Sequence, residues 1–483
     1  MSPSTSSGVA GEKNGWLARV LGSAVIWSWL FSGLRLASGL ILVPLLWRLL
    51  SRNDFGMYYV LVQLGTVVPM MDFGFSLSVE RSLAYARGGA TSLESIGVGT
   101  AGGGGEPNRA LMAEIVHSSK RLYRWLSIGS FVLLGVVGTY SVGLSVEKTS
   151  DASLTWLAWG IYLVSLSLDL YTSYWVAVMR GLNRVTDSAR WLSIAYGVRL
   201  GLAALLLLGG AGLLAVPLAS LVSGILLRAG VGRAVRSLTG ADPGVTEAGV
   251  RRILRVLWPN SWRLGVQLMA LFLASYAYSV IVQKQLGPAV YGEYGFSLQI
   301  MNIAVGVAAV WVTVKWPVVA KLRIEGSIGV IRRLMRPRFW LQNITYLVLA
   351  GGAVSLGPWL PILLHTDKQM LSRELLILMA LNSFGELNFA FWTTLISTEN
   401  RIPALWGLIA TQLAGTGVVA WLVLRGGHGI EAVVIVPLIL GCLFNYWWWG
   451  REGAKMLGTT LSQFLFQRTH SDHAETRIQA RVS

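Results

Sequence analysis

Long apolar stretches recur along the chain between short polar connections, and this alternation sets the architecture before any motif is considered. A helix needs about 20 mostly apolar residues to cross the hydrocarbon core of a bilayer. Stretches of that kind fall at 21–46, 55–78, 123–146, 153–179, 191–209 and 212–227 in the first half of the sequence. The second half repeats the count with 261–282, 291–316, 339–364, 371–396, 403–424 and 430–449. The pattern predicts an all-α polytopic membrane protein of about 12 transmembrane helices.

Composition agrees: 54% of the 483 residues are hydrophobic and 13% charged, with a mean hydropathy of +0.57. Soluble domains sit near a quarter charged. The 40 Lys and Arg against 23 Asp and Glu give a net charge of +17, which on its own fits nucleic acid, anionic lipid or basic cytoplasmic loops. With the N-terminus inside, most of the basic residues fall on the cytoplasmic side of alternate connections, as the positive-inside rule requires. Topology thus accounts for the charge, and no nucleic-acid partner is expected.

The same reading makes 1–20 and 451–483 cytoplasmic tails, the second polar and partly disordered from Thr459 onward. Trp447, Trp448 and Trp449 fit an interfacial aromatic belt. The longest connections are 79–122, with a Gly-rich insertion at 97–105, and 228–260. Within the latter, 250–257 carries Arg251, Arg252 and Arg255 among apolar residues. It reads either as a short amphipathic helix on an anionic membrane surface or as a solvated basic loop. Cys442 is the only cysteine, so neither an intrachain disulfide nor a multi-cysteine metal site is open to the chain.

Short motifs repeat between the halves. Leu50, Phe55, Gly56 and Tyr58 recur at one offset as Leu286, Tyr291, Gly292 and Tyr294. Asn183-Arg184 followed by Gly209-Gly210-Ala211-Gly212 matches Asn400-Arg401 followed by Gly426-Gly427-His428-Gly429. Each motif alone is compatible with ordinary turn chemistry. Together they argue for a duplicated six-helix block in parallel orientation, because an even number of helices starts both copies on the same side. The division expected is an N-lobe over 21–240 and a C-lobe over 241–450. Such repeats characterise transporters whose substrate site lies between the halves.

At these residues the chain resembles a known family. The stretch from Leu50 to Tyr58, then Met71-Asp72-Phe73-Gly74 and Glu80-Arg81, resembles the first helical hairpin of polysaccharide-biosynthesis flippases. These are the O-antigen-type branch of the multidrug/oligosaccharidyl-lipid/polysaccharide exporter superfamily. Arg180-Gly181-Leu182-Asn183-Arg184 resembles that family's short basic turn after the fourth helix. The likeness extends to about Trp449, and the Gly-rich insertion departs from it. It implies two pseudo-symmetric six-helix lobes around a central cavity. It also implies translocation of an undecaprenyl-diphosphate-linked oligosaccharide across the bacterial inner membrane by alternating access. The coupling ion would be H+ or Na+, and a polysaccharide polymerase would be a partner in O-antigen, capsule or exopolysaccharide synthesis.

Ionisable residues inside apolar spans are costly and therefore point to function. Arg35 and Asp72 lie on neighbouring predicted helices, where side chains lean toward each helix's N-terminus and so toward each other. Asp169 and Arg199 repeat the arrangement one hairpin later. The arginines can present bidentate cationic forks to a diphosphate while the aspartates hold them until substrate competes. The alternative is two structural ion pairs that fix packing, with Asp72 also near enough to the interface to be hydrated. Glu386, mid-span, is the candidate coupling residue, or else a carboxylate held by Asn382 or by an arginine. Gln299 and Asn302 share a helical face suited either to sugar hydroxyls or to interhelical hydrogen bonds.

Three rival classes compete with a flippase, one of them a non-transporting assembly scaffold, whose mark would be a cavity closed by packed apolar side chains with both arginines neutralised. A multidrug or organic-cation antiporter of the same superfamily shares the lobed fold but calls for an acidic cavity, whereas the spans here include two arginines. A membrane enzyme calls for a large external loop, and every external connection is short. No nucleophile triad, metal-ligand cluster, phosphate-cradling loop or external carboxylate pair appears in the sequence, so no enzymatic activity, cofactor or metal is expected.

Overall fold

A computed structural model describes residues 24–93, 106–239, 245–363, 365–398 and 404–466. The N-tail, the Gly-rich stretch at 97–105, the Asn400-Arg401 motif and the end of the C-tail lie outside the described residues. The protein is an all-α polytopic membrane protein. Ten of the described helical stretches are long and apolar enough to cross a membrane. Two further helices, of 26 and 40 residues, carry the first and seventh predicted spans.

The helices of the first half are α1 (Ala24–Leu49), α2 (Arg52–Gly65), α3 (Val67–Met71), α4 (Phe75–Arg87), α5 (Arg109–Gly143), α6 (Ala152–Gly181), α7 (Val185–Leu208) and α8 (Ala215–Thr239). The second half supplies α9 (Glu247–Leu286), α10 (Pro288–Thr313), α11 (Trp316–Ile324), α12 (Ile328–Leu356), α13 (Leu360–Leu363), α14 (Arg373–Ser397), α15 (Ala404–Leu424), α16 (Ile430–Leu440), α17 (Tyr446–Met456) and α18 (Leu461–Phe466). A π-helical segment, Gly441–Asn445, joins α16 to α17, just past Pro437, which removes a backbone donor from α16.

These elements pack into two compact units. One comprises Met1–Gln299, Pro358–Leu371 and Thr416–Ala432; the other comprises Ile300–Gly357, Ser372–Gly415 and Val433–Ser483. In the first, α7 packs on α1 and α8, and α6 packs on α8, α5 and α4. In the second, α14 packs on α12 and α17 around Phe339, Phe391, Trp392 and Trp449. Phe464 of α18 joins this cluster, its ring centroid 4.9 Å from that of Trp392. The part of the C-tail expected to be disordered thus begins as a docked helix, held also by Arg336 and Trp340, which donate to the Leu465 carbonyl at 3.1 and 3.2 Å.

Three sequence expectations are corrected. The second span is interrupted at Phe73 and Gly74, which adopt left-handed φ values of 52° and 72°. Much of the connection at 79–122 is helical, because α4 and α5 run on past the apolar stretch. Residues 250–257 are neither a separate surface helix nor a loop but the opening turns of α9. Their apolar side, Val250, Ile253 and Leu257, is buried against protein, and Arg252 and Glu247 pair with Glu114 and Arg121 of α5.

The repeated motif meets itself. Gly56 of α2 and Gly292 of α10 lie so close that a Cβ on Gly292 would sit 2.9 Å from the Gly56 Cα, and one on Gly56 would collide with the Pro288 carbonyl. Only glycine permits this approach of two backbones. Arg52 pairs with Glu293 beside it, and Gly210 and Gly427, matched in the second repeat, share left-handed φ values of 80° and 66°.

Candidate functional site

Within the first unit, α1, α3, α4, α6, α7 and α8 enclose a cavity of about 580 Å³. Its wall is mostly apolar, from residues such as Phe31, Val68, Leu170 and Leu192, and carries Asp72, Glu80, Asp169, Arg180 and Arg199. Few polar groups converging in an apolar cavity of this size is the usual form of a ligand site.

Arg199 is the best-defined cation there. It lies in the electrostatic field of Tyr162, Asp169, Tyr196 and Tyr58. Its guanidinium stands 6.0 Å from the Tyr196 ring centroid, at the outer limit of a cation–π contact. Asp169 feels the Arg199 charge, but no direct ion pair joins the two among the described residues. Among the described residues, therefore, no carboxylate closes the Arg199 fork, and the Tyr196 ring lies beside it.

Asp72 also lines the cavity, held in a different way from that expected. Its carboxylate accepts the Ser76 N–H at 3.2 Å and the Ser76 hydroxyl at 2.7 Å, and the Tyr123 hydroxyl donates to it as well. These bonds satisfy the opening turn of α4 just past the left-handed break. Arg35 lies in α1, and its side chain is outside the described residues.

The other candidates are placed elsewhere. Gln299 accepts the Tyr59 hydroxyl at 2.7 Å, an interhelical hydrogen bond within the first unit. Asn302, on the same face of α10, is exposed. In the second unit, Glu386 is exposed and accepts from Asn382 at 3.3 Å, and Asn382 in turn accepts the Tyr446 hydroxyl at 2.7 Å. The Tyr446 ring fills the space that side chains on Gly385 and Gly441 would occupy. Tyr446 is the first residue past the π-helical segment, so the local change in helical register sets where this chain of hydrogen bonds ends.

Several participants escaped the sequence reading. Tyr58 enters the sequence analysis only through the repeated motif, and Tyr162 and Tyr196 not at all, although Tyr196 precedes Arg199 by one helical turn. Glu80 and Arg180 were seen only as motif residues. Lys368 is 3% exposed; its ammonium donates to the Trp47 carbonyl at the end of α1. Burial pushes its pKa down, with Asp367 and Asp54 opposing the shift.

Solved structures share the fold. An inward-facing multidrug resistance MATE family transporter of the MOP superfamily aligns with a TM-score of 0.64 at 11% identity, over 89% of this chain and 95% of that one. The chain has the fold of that transporter. The lipid II flippase MurJ in its inward closed conformation aligns with a TM-score of 0.55 at 12% identity, over 94% of this chain and 96% of that one. No protein-family model matches the sequence, and no curated protein does.

Proposed function

We propose that the protein is a MOP-fold flippase that moves undecaprenyl-diphosphate-linked oligosaccharide across the bacterial inner membrane by alternating access, with both termini cytoplasmic. The observation that carries this reading is Arg199, a guanidinium at a mostly apolar cavity with no direct ion pair to Asp169 among the described residues. Such a fork suits a diphosphate, which it binds bidentately. A cavity of about 580 Å³ takes a headgroup portion, while the polyprenyl tail stays in lipid. Asp72 and Asp169 are then counter-charges that keep the empty site from trapping anions, Gln299 and Asn302 contact sugar hydroxyls, and Glu386 with Asn382 and Tyr446 takes the coupling H+ or Na+. A polysaccharide polymerase would receive the product.

A second reading rests on an observation of its own. Asp72, Glu80 and Asp169 face the same cavity as the two arginines, and the MATE transporter aligns with the higher TM-score of the two relatives described. An organic-cation antiporter would use the carboxylates and leave Arg199 as their regulator.

One assay separates the two. Purified protein in proteoliposomes is given a fluorescent undecaprenyl-diphosphate oligosaccharide or a fluorescent organic cation, comparing wild type with Arg199→Ala and Asp169→Asn. The flippase reading expects lipid flipping that falls about tenfold or more in Arg199→Ala, the scale set by losing a charge-assisted hydrogen bond. Cation transport abolished by Asp169→Asn, without lipid flipping by wild type, would replace it with the antiporter.

A further inference from the structure

A second cavity lies outside that site, where α5 meets the start of α9. It has a volume of about 320 Å³ and is lined by His117, Lys120, Arg121, Arg124, Trp125 and Glu247. The first four fall at one-turn spacings on a single face of α5, so the helix presents a column of basic groups. Glu247 closes one side, its two carboxylate oxygens accepting from the Arg121 Nη1 at 2.8 and 2.7 Å. One carboxylate against three permanent cations leaves the cleft positive.

What lies along the same helix decides what would occupy it. Past Arg124 the sequence of α5 turns apolar, and the face that carries the basic column continues as Ile128, Val132 and Val136. These are exposed from the protein by 47, 58 and 69%, and Trp125 between the two zones by 65%. An exposed tryptophan between a cationic end and an apolar run marks the membrane interface. A soluble anion would use the basic cleft alone. The combination of a cationic cleft with an apolar strip leading from it matches an amphiphile whose anionic head and acyl chain are joined.

We propose that this cleft binds the headgroup of an anionic phospholipid, with Lys120 and Arg124 on the phosphate, Trp125 at the glycerol level and an acyl chain along Ile128, Val132 and Val136. The lipid competes with Glu247 for Arg121. Glu247 opens α9, the helix that follows the connection between the halves of the sequence, so occupancy loosens or reforms a tie between α5 and that connection.

The test is native mass spectrometry of the full-length protein released from micelles containing equal amounts of phosphatidylglycerol and phosphatidylcholine of the same chains. Wild type should retain phosphatidylglycerol over phosphatidylcholine. The double variant Lys120→Gln/Arg124→Gln should lose that preference by on the order of thirtyfold, two interfacial cations each counting for about fivefold. Glu247→Gln should strengthen retention several-fold, a change of sign that misfolding cannot produce. Equal retention of the two lipids by wild type, or an unchanged preference in the double variant, overturns the proposal. Displacement of the lipid by inorganic phosphate alone also overturns it, in favour of a soluble-anion site.

Discussion

Asp72 takes its hydrogen bonds from the turn that follows it and from Tyr123, and this decides what its loss does. Asp72→Ala strips the acceptor from three donors at the left-handed break and should lower stability by about 2 kcal/mol, seen as a lower melting temperature in detergent. Asp72→Asn keeps one oxygen for Ser76 and should cost less than half as much. Glu247 behaves as a titrating tie. Its hydrogen bond and charge pairing with Arg121 hold the carboxyl below its usual range, so the tie is intact above the ordinary glutamate pKa and lost as pH falls through the depressed one. Hydrogen exchange corrected for its intrinsic pH dependence should show residues 247–253 opening below about pH 4 and no change in that segment across neutral pH. Asp72 and Asp169 both line the cavity of the first unit, and the sequence singles them out because a charge in an apolar span must find a polar site. It could not give their partners. The direction in which side chains lean narrows the options to neighbouring helices, but Ser76, four residues on, and Tyr123, on another helix, compete for the same oxygens.

At the scale of elements, hydropathy marks where lipid begins and not where a helix ends. The described residues of the twelve apolar stretches are mostly helical, yet α4, α5 and α9 continue into polar sequence, since nothing in Arg81–Arg87 or in the turns opening α9 breaks a helix. The break at Phe73 was beyond reach for the opposite reason: a left-handed phenylalanine has no sequence signature. The glycine contact was legible as a repeat and illegible as a contact. It makes a strong prediction. Gly56→Ala drives a methyl into the Pro288 carbonyl, which is backbone and cannot rotate away, and should cost about 1–3 kcal/mol or more. Gly306→Ala, also within a helix but with open space around it, should be neutral or stabilising by up to about 1 kcal/mol. Comparing their melting temperatures separates close packing from helix propensity. Removal of the Phe464 side chain should likewise lower the melting temperature and expose α18 to proteolysis, because its ring sits wholly inside the aromatic cluster of the second unit.

For the whole molecule, the fold class followed from composition and period alone, because a bilayer admits so few spanning structures. The cargo did not, since the same fold carries chemically different ligands and only the side chains of one cavity distinguish them. Membrane embedding itself can be checked at one atom. Cys442 is the sole thiol of the chain and is exposed from the protein on the π-helical segment of an apolar span. It should resist a charged maleimide in intact membranes, react with a lipid-soluble one, and become accessible to both after solubilisation. The meeting of Gly56 with Gly292 has a consequence on a much longer timescale. When a repeated motif folds so that one of its positions touches its counterpart, the two positions cease to evolve separately, because a side chain gained by either must be accommodated by the other. Across descendants of this chain the pair should be lost together or kept together, even where the surrounding halves have diverged beyond recognition.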